Sequence, residues 1–188
     1  MDVVDDVELL NRARRGEANA FAQLFARHQR AIFRFAVHMC GRDAGDDVVQ
    51  ETFLAVLKQG GRYDSSRGSV AAYLFGIARH CALKRIAEPM GVDDEAEQRW
   101  ADAAGGAGAP FDDLSRAETI AVVRRAVDAL PPIYREAIVL CELEEMDYAA
   151  AAVVLQCPIG TVRSRLHRAK AMLAAKLSEA AVVQEIRS

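Results

Sequence analysis

The sequence predicts an all-α protein: two small helical domains joined by a flexible acidic linker, the C-terminal one containing a helix-turn-helix. Three observations lead there. Apolar residues recur at three-to-four spacing along most of the chain, and no segment keeps the period-two alternation of a strand for long. A central stretch rich in glycine, proline and acids interrupts that pattern. Near the C-terminus a short apolar helix, a break and a cationic helix follow one another closely.

In the first domain, residues 1–86, the periodicity marks three helices. Phe21, Leu24, Phe25, Ile32, Phe33 and Phe35 keep helical spacing over 17–40. Val48, Val49, Thr52, Phe53, Val56 and Leu57 keep it over 46–58, and Val70, Tyr73, Leu74, Ile77, Ala78 and Cys81 over 69–86. Residues 87–114 are expected as the linker, with Pro89, Gly91, the run Gly105-Gly106-Ala107-Gly108-Ala109-Pro110, Trp100, and acids from Glu88 to Asp113. Glycine, proline and like charge all oppose a packed core. Charge marks the same division. Residues 1–86 carry 13 Lys/Arg against 10 Asp/Glu, net +3; residues 87–118 carry 2 against 9, net −7; residues 119–188 carry 9 against 8, net +1.

The second domain, residues 115–188, begins with a helix over 115–129 that Leu130-Pro131-Pro132 stops. A second helix is expected over 133–143. Asp147 is placed to cap the apolar run Tyr148–Leu155, whose alanines have the highest helix propensity. The break falls at Gln156-Cys157, where Gln156 has to turn the chain without glycine's freedom at positive φ. Pro158 then suits the first position of the next helix.

Composition excludes several classes. No run reaches the ~18 apolar residues of a membrane span. The N-terminus, Met1-Asp2-Val3-Val4-Asp5-Asp6, is acidic and unlike a signal peptide, so a cytoplasmic protein is expected, without membrane insertion. Cys40, Cys81, Cys141 and Cys157 are dispersed with no C-x-x-C, so reduced, structural thiols are expected, with no metal and no cofactor. No nucleophile-and-base pattern stands out, and Asp46, Asp47 and Glu51 are the only carboxylate cluster. Neither a catalytic residue nor an enzymatic activity is expected.

The cationic helix carries the clearest functional signal. From Thr161 to Lys176 there are five Lys/Arg and no acid, in a chain of net charge −3. Val162, Leu166 and Ala169 give it one apolar stripe, leaving Arg163, Arg165, His167, Arg168 and Lys170 for the other faces. A short helix, a turn and a basic second helix form a unit suited to enter a major groove.

Two segments together resemble a known family. Asp46-Asp47-Val48-Val49-Gln50-Glu51-Thr52-Phe53-Leu54 resembles the polymerase-binding helix of bacterial sigma-70-type factors. Leu130-Pro131-Pro132-Ile133-Tyr134-Arg135-Glu136-Ala137, followed by Gly160-Thr161-Val162-Arg163-Ser164-Arg165-Leu166-His167-Arg168-Ala169-Lys170, resembles their promoter-reading C-terminal domain. With only these two domains and a short linker between them, the chain is similar to the compact extracytoplasmic-function group. The resemblance covers roughly residues 8–86 and 115–177.

That resemblance implies an alternative sigma factor, which binds core RNA polymerase and directs promoter recognition and melting. Asp46, Asp47, Gln50, Glu51 and Leu54 would meet the polymerase; Asp46 and Asp47 also suit the positive end of a helix dipole. Arg62, Tyr63, Arg67, Tyr73, Arg79, His80, Lys84 and Arg85 would meet the -10 element, with aromatic rings available to unstacked bases. Tyr73 also has the spacing of a core residue. Thr161, Arg163, Ser164, Arg165, His167, Arg168 and Lys170 would meet the -35 element. Arg163, Ser164 and His167 are expected nearer the bases, with Arg165, Arg168 and Lys170 divided between phosphate and solvent. The resemblance also implies an anti-sigma partner, the chain being a monomer or a heterodimer with it. The sequence departs from the family pattern in having Tyr73 where many members have Trp, His80 where they have Asn, and Lys84 where they have Asp. The rival reading, a dimeric operator-binding regulator, accounts for the helix-turn-helix but leaves Asp46–Leu54 without a role.

Overall fold

The structure, a computed structural model, describes residues 4–58, 63–87 and 111–187, and in the last stretch the side chains of 119–178. Arg62, Trp100 and the linker segment 88–110 lie outside the described residues. All regular structure among those described is helical: α1 (Asp6–Arg14), α2 (Ala18–Cys40), α3 (Gly45–Lys58), α4 (Val70–Ala87), α5 (Phe111–Asp128), α6 (Pro132–Ile138), α7 (Tyr148–Leu155) and α8 (Ile159–Arg187).

The three helices expected in the first domain form within a residue or two of their expected limits, and α1 is added ahead of them. Acids Asp6 and Glu8 in its first turn and Arg12 and Arg14 in its last complement the helix dipole. The chain leaves α1 through Gly16 at φ 90°, with Gly16 N–H donating to Ala13 O and Glu17 N–H to Arg12 O, a Schellman ending. Around the α2–α4 core, Leu24, Ile32, Phe35, Val48, Val56 and Leu74 are fully buried. Phe35 and Phe75 pack edge to face at 5.6 Å, a geometry their quadrupoles favour.

In the second half, α5 starts at Phe111 rather than at 115, so the last residues expected as linker are helical. Pro132 opens α6, and the chain then widens into a π-helical turn at Val139–Leu143 instead of continuing as an α-helix to 143. Asp147 caps α7 by accepting from Ala150 N–H at 2.8 Å. Gln156 takes up the left-handed conformation, φ 53° and ψ 44°, with Cys157 N–H donating to Ala152 O and Gln156 N–H to Val153 O. This is again a Schellman ending, made without glycine. Pro158 stands just ahead of α8, and its carbonyl accepts from Thr161 and Val162.

The two lobes are not separate bodies. Buried residues from both belong to one continuous core, with α7 packed on α4 and α6 on α2. Polar groups cross the seam as well. Arg135 of α6 donates to the carbonyls of His38 and Met39 at 3.1 and 3.2 Å, giving the carbonyl end of α2 a cation. His38 Nδ1 lies 2.8 Å from Asp128 Oδ1, and Arg34 Nε donates to Glu144 Oε1 at 2.8 Å.

Candidate functional site

Three surfaces carry the predicted residues. The first is on α3. Val48, Val49, Thr52, Phe53 and Val56 face inward, which leaves Asp46, Asp47, Gln50, Glu51 and Leu54 exposed. The exposed set then divides. Asp46, Gln50 and Leu54 border an open groove of about 600 Å³ whose floor and far wall are Phe21, Phe25, Phe33, Val49 and Phe53. The Phe25 and Phe53 rings lie 4.8 Å apart, tilted at 59°, and Phe21 meets Phe53 edge-on at 6.0 Å. Asp47 and Glu51 turn instead toward α4, where Arg85 Nη1 lies 3.2 Å from Asp47 Oδ2 and Arg85 Nη2 2.6 Å from Glu51 Oε1. Three residues assigned by sequence to two different partners therefore form one cluster. The aromatic half of the groove was missed because helical spacing alone assigns those phenylalanines to the core.

Cys40 and Cys81 lie beside this cluster. Burial pushes the Cys40 thiol up to about 11, and burial followed by the Glu51 carboxylate raises that of Cys81. Both stay protonated at neutral pH, in keeping with structural thiols. Among the described residues, no three His, Cys, Asp or Glu side chains gather as a potential ligand set for a metal ion.

The second surface is the loop and helix from Tyr63 to Arg85. Asp64 accepts from the N–H and hydroxyl of Ser66, forming a short 3-10 turn at Ser65–Arg67. Tyr63 donates its hydroxyl to Gly68 O at 3.1 Å, and its ring lies 5.5 Å from that of Tyr73. Burial, followed by nearby carboxylates, raises the Tyr63 phenol above its ordinary value, so it remains a neutral donor. Tyr73 is half-buried, with Arg14 reaching its hydroxyl at 3.4 Å, while Arg67, His80 and Lys84 are exposed. Tyr63, Arg67, Tyr73 and His80 line a cleft of about 400 Å³ whose other wall is Val153 and Gln156 of the helix-turn-helix. Arg79 departs from its expected place. It turns into the lobe seam, donating through Nε and Nη2 to Glu136 at 2.6 and 3.1 Å.

The third surface is α8. Val162, Leu166 and Ala169 are buried, as their stripe predicts, and Arg163, Ser164, His167 and Arg168 are exposed on one continuous face. The Arg163 guanidinium sits 6.0 Å from the centroid of the Tyr148 ring, at the reach of a cation–π contact. Two of the predicted cations are engaged within the protein. Arg165 Nη1 lies 3.5 Å from Glu136 Oε1, and Lys170 Nζ 2.9 Å from Glu142 Oε1. Ser164 donates its hydroxyl to Thr161 O, which occupies its proton but leaves its lone pairs outward. Glu136, 1% exposed, was legible only as part of a motif; no property of its sequence position announces a buried carboxylate.

These surfaces coincide with two family matches. Residues 24–88 match the model for Sigma-70 region 2, and residues 120–173 the model for Sigma-70, region 4. The ECF RNA polymerase sigma-E factor of Escherichia coli (strain K12) is 31% identical over 178 residues, covering 88% of this chain and 90% of that protein. That of Haemophilus influenzae is 30% identical over 182 residues, covering 92% and 95%. The chain is an extracytoplasmic-function sigma factor. Among solved structures, CnrH in complex with the cytosolic domain of CnrY superposes on this sigma factor with TM-score 0.68 at 28% identity, covering 93% of this chain and 97% of that one. RpoE from Bartonella quintana, in complex with the anti-sigma factor NepR, shares the fold with TM-score 0.62 at 24% identity, covering 84% and 96%. The family is one of transcription initiation factors. In this sigma factor the groove, apart from Phe21, and the Tyr63–Arg85 face fall in the region 2 match and the basic face of α8 in the region 4 match, while α1 precedes both. Among the described residues, no helix is long and apolar enough to cross a membrane.

Proposed function

We propose that this sigma factor docks on core RNA polymerase through the aromatic groove bordered by Asp46, Gln50 and Leu54, with Asp47 and Glu51 holding the docking helix against α4 through Arg85. Residues 1–86 and 115–188 divide the work, the first meeting polymerase and the -10 element and the second reading the -35 element. The observation that supports this most directly is the groove itself. It is open and largely apolar, with Asp46 and Gln50 on one edge and Gln29, Arg30 and Arg34 of α2 on the other, and one side is the helix whose sequence resembles the family's polymerase-binding element. An apolar floor supplies burial while a polar rim sets register, as in other helix-in-groove contacts.

For the promoter, Arg163, Ser164, His167 and Arg168 face the -35 bases and phosphates, with Thr161 near the helix start. Tyr63, Arg67, Tyr73, His80 and Lys84 meet the -10 strand, the rings stacking on unpaired bases. Arg62 belongs to the same loop by sequence. Melting is then a binding effect, and the sigma factor itself makes and breaks no bond. An anti-sigma protein would compete for the same groove; CnrH, the solved likeness, is itself in complex with the cytosolic domain of CnrY. The sigma factor then works in the cytoplasm, as a monomer or paired with that inhibitor.

The test is co-purification with bacterial core polymerase, comparing the wild type with Gln50→Ala/Leu54→Arg. Both positions are exposed, so the fold should survive the change. Retention of the wild type and loss of the double variant is the expected result. Equal retention of both would move docking away from the groove, and retention of neither would end the polymerase reading.

A further inference from the structure

Arg14, at the end of α1, is a half-buried cation with no carboxylate paired to it among the described residues. The other half-buried arginines of the first lobe each reach one: Arg12 pairs with Glu17, Arg79 with Glu136, and Arg85 with Asp47 and Glu51. For Arg14 the one polar partner among the described residues is Tyr73. The guanidinium lies over the Tyr73 ring, 5.8 Å from its centroid, and Nη2 is 3.4 Å from the hydroxyl. The Arg14 Nε–H is buried with no acceptor among the described residues.

A cation in the last turn suits the dipole of α1, but Arg12 already supplies one, and the dipole does not require a guanidinium to be drawn over a tyrosine ring. The helix itself is firmly seated. Leu9, Leu10 and Ala13 are buried in the core, and the chain turns away at Gly16. Taking an unpaired guanidinium partly out of water, with one donor unsatisfied, costs free energy that Tyr73 repays only in part. An anion would repay the rest. Tyr73 lines the cleft with Tyr63, Arg67 and His80, and a single strand stacking on these rings brings one phosphate per nucleotide to their border. The tyrosine matters here. Its hydroxyl can accept from Arg14, whereas the indole of the tryptophan common at this position only donates. The residues that match the family model, 24–88, do not include α1.

We propose that Arg14 is a further DNA-binding residue of the -10 face: it braces the Tyr73 ring from α1 and pairs with a backbone phosphate of the strand stacked there. This deepens the promoter reading of the Tyr63–Lys84 face and rests on it.

The test uses the sigma factor assembled with core polymerase. The probe is a fluorescent single-stranded 12-mer selected by the wild-type assembly from a fully randomised pool, and core polymerase alone sets the background. Affinities of wild type, Arg14→Gln, Arg14→Lys and Tyr73→Phe are measured across a series of salt concentrations. Arg15→Gln, which removes an exposed cation beside Arg14, is the control. Arg14→Gln should weaken binding by about tenfold and flatten the slope of log affinity against log salt by about 0.7, the loss of one single-strand phosphate contact. Arg14→Lys keeps the charge but not the planar fork, so it should keep the slope while losing several-fold in affinity. Tyr73→Phe should cost less than Arg14→Gln and leave the slope alone. Should Arg14→Gln lower the thermal midpoint, Arg14→Met replaces it, keeping an apolar stem over the ring. A slope unchanged in the Arg14 variant, whatever its affinity, or an equal effect from Arg15→Gln, would overturn the proposal. His80→Ala reads the face itself. If it weakens the probe while Arg14→Gln does not, only Arg14 is misassigned; if neither does, the promoter reading of the face falls with it.

Discussion

Gly45 and Phe33 approach so closely that a side chain at position 45 would force the ring to move. A Cβ at position 45 would lie 2.9 Å from Phe33 Cε2 and 3.1 Å from Val37 Cγ2. Phe33 is also a wall of the docking groove, so the residue that lets α3 close on α2 also shapes the surface beside Gln50 and Leu54. Gly45→Ala is expected to cost about 1–3 kcal/mol, the usual range for overpacking a filled site, because the Phe33 ring and the Val37 side chain would both have to shift to admit the Cβ. Urea unfolding measures this, and a variant as stable as wild type would show that the ring yields freely.

Gln156 gives the opposite expectation. It holds φ 53° at the end of α7, where a side chain costs about 1–2 kcal/mol relative to the right-handed region. Gln156→Gly removes that strain and returns part of the gain as unfolded-chain entropy, leaving the protein more stable by roughly 0.5–1 kcal/mol. Gln156→Ala keeps the Cβ and should gain little. Thermal or urea midpoints of the two variants separate the explanations: equal gains would place the effect in the lost side chain rather than in the backbone.

Acid stability should depend on Asp6. Partial burial works against its charge, but hydrogen bonds from Arg27 and His28, each at 2.7 Å, outweigh it and hold the carboxyl below its ordinary value of 3.8. With the folded value depressed, its contribution is complete above pH about 3.8 and is lost as pH falls through the folded value. Asp6→Asn should therefore lower stability at neutral pH and flatten the fall in stability below about pH 4. Unfolding midpoints between pH 2 and 7 test this, and parallel curves for the two proteins would count against it.

Much of this was written in local order. The apolar spacing of Val48 to Val56 and of Val162 to Ala169 placed each helix and decided which face it buries, since 3.6-residue periodicity does not depend on distant partners. The stop at Leu130-Pro131-Pro132, the cap at Asp147 and the strained turn at Gln156 were likewise readable, because caps and turns are settled within a few residues. Two segments carried the family resemblance, and the basic face at Arg163, Ser164, His167 and Arg168 is exposed as its composition suggested.

What the sequence by itself determined, then, is the all-α class, the helices that bear function and the family. Tertiary structure alone decided which of the charged residues are free to act. Arg79, Arg85, Arg165 and Lys170 look alike in sequence, yet each is drawn to a carboxylate far along the chain, at Glu136, Glu51, Glu136 and Glu142. Tertiary structure also turned Phe21, Phe25 and Phe33 from presumed core into the walls of a groove, and brought Val153 against the loop after Tyr63. The physical reason is one of range. Backbone preference and amphipathic period act over a turn or two of helix, whereas ion pairing and packing depend on which surfaces meet when helices distant in sequence assemble.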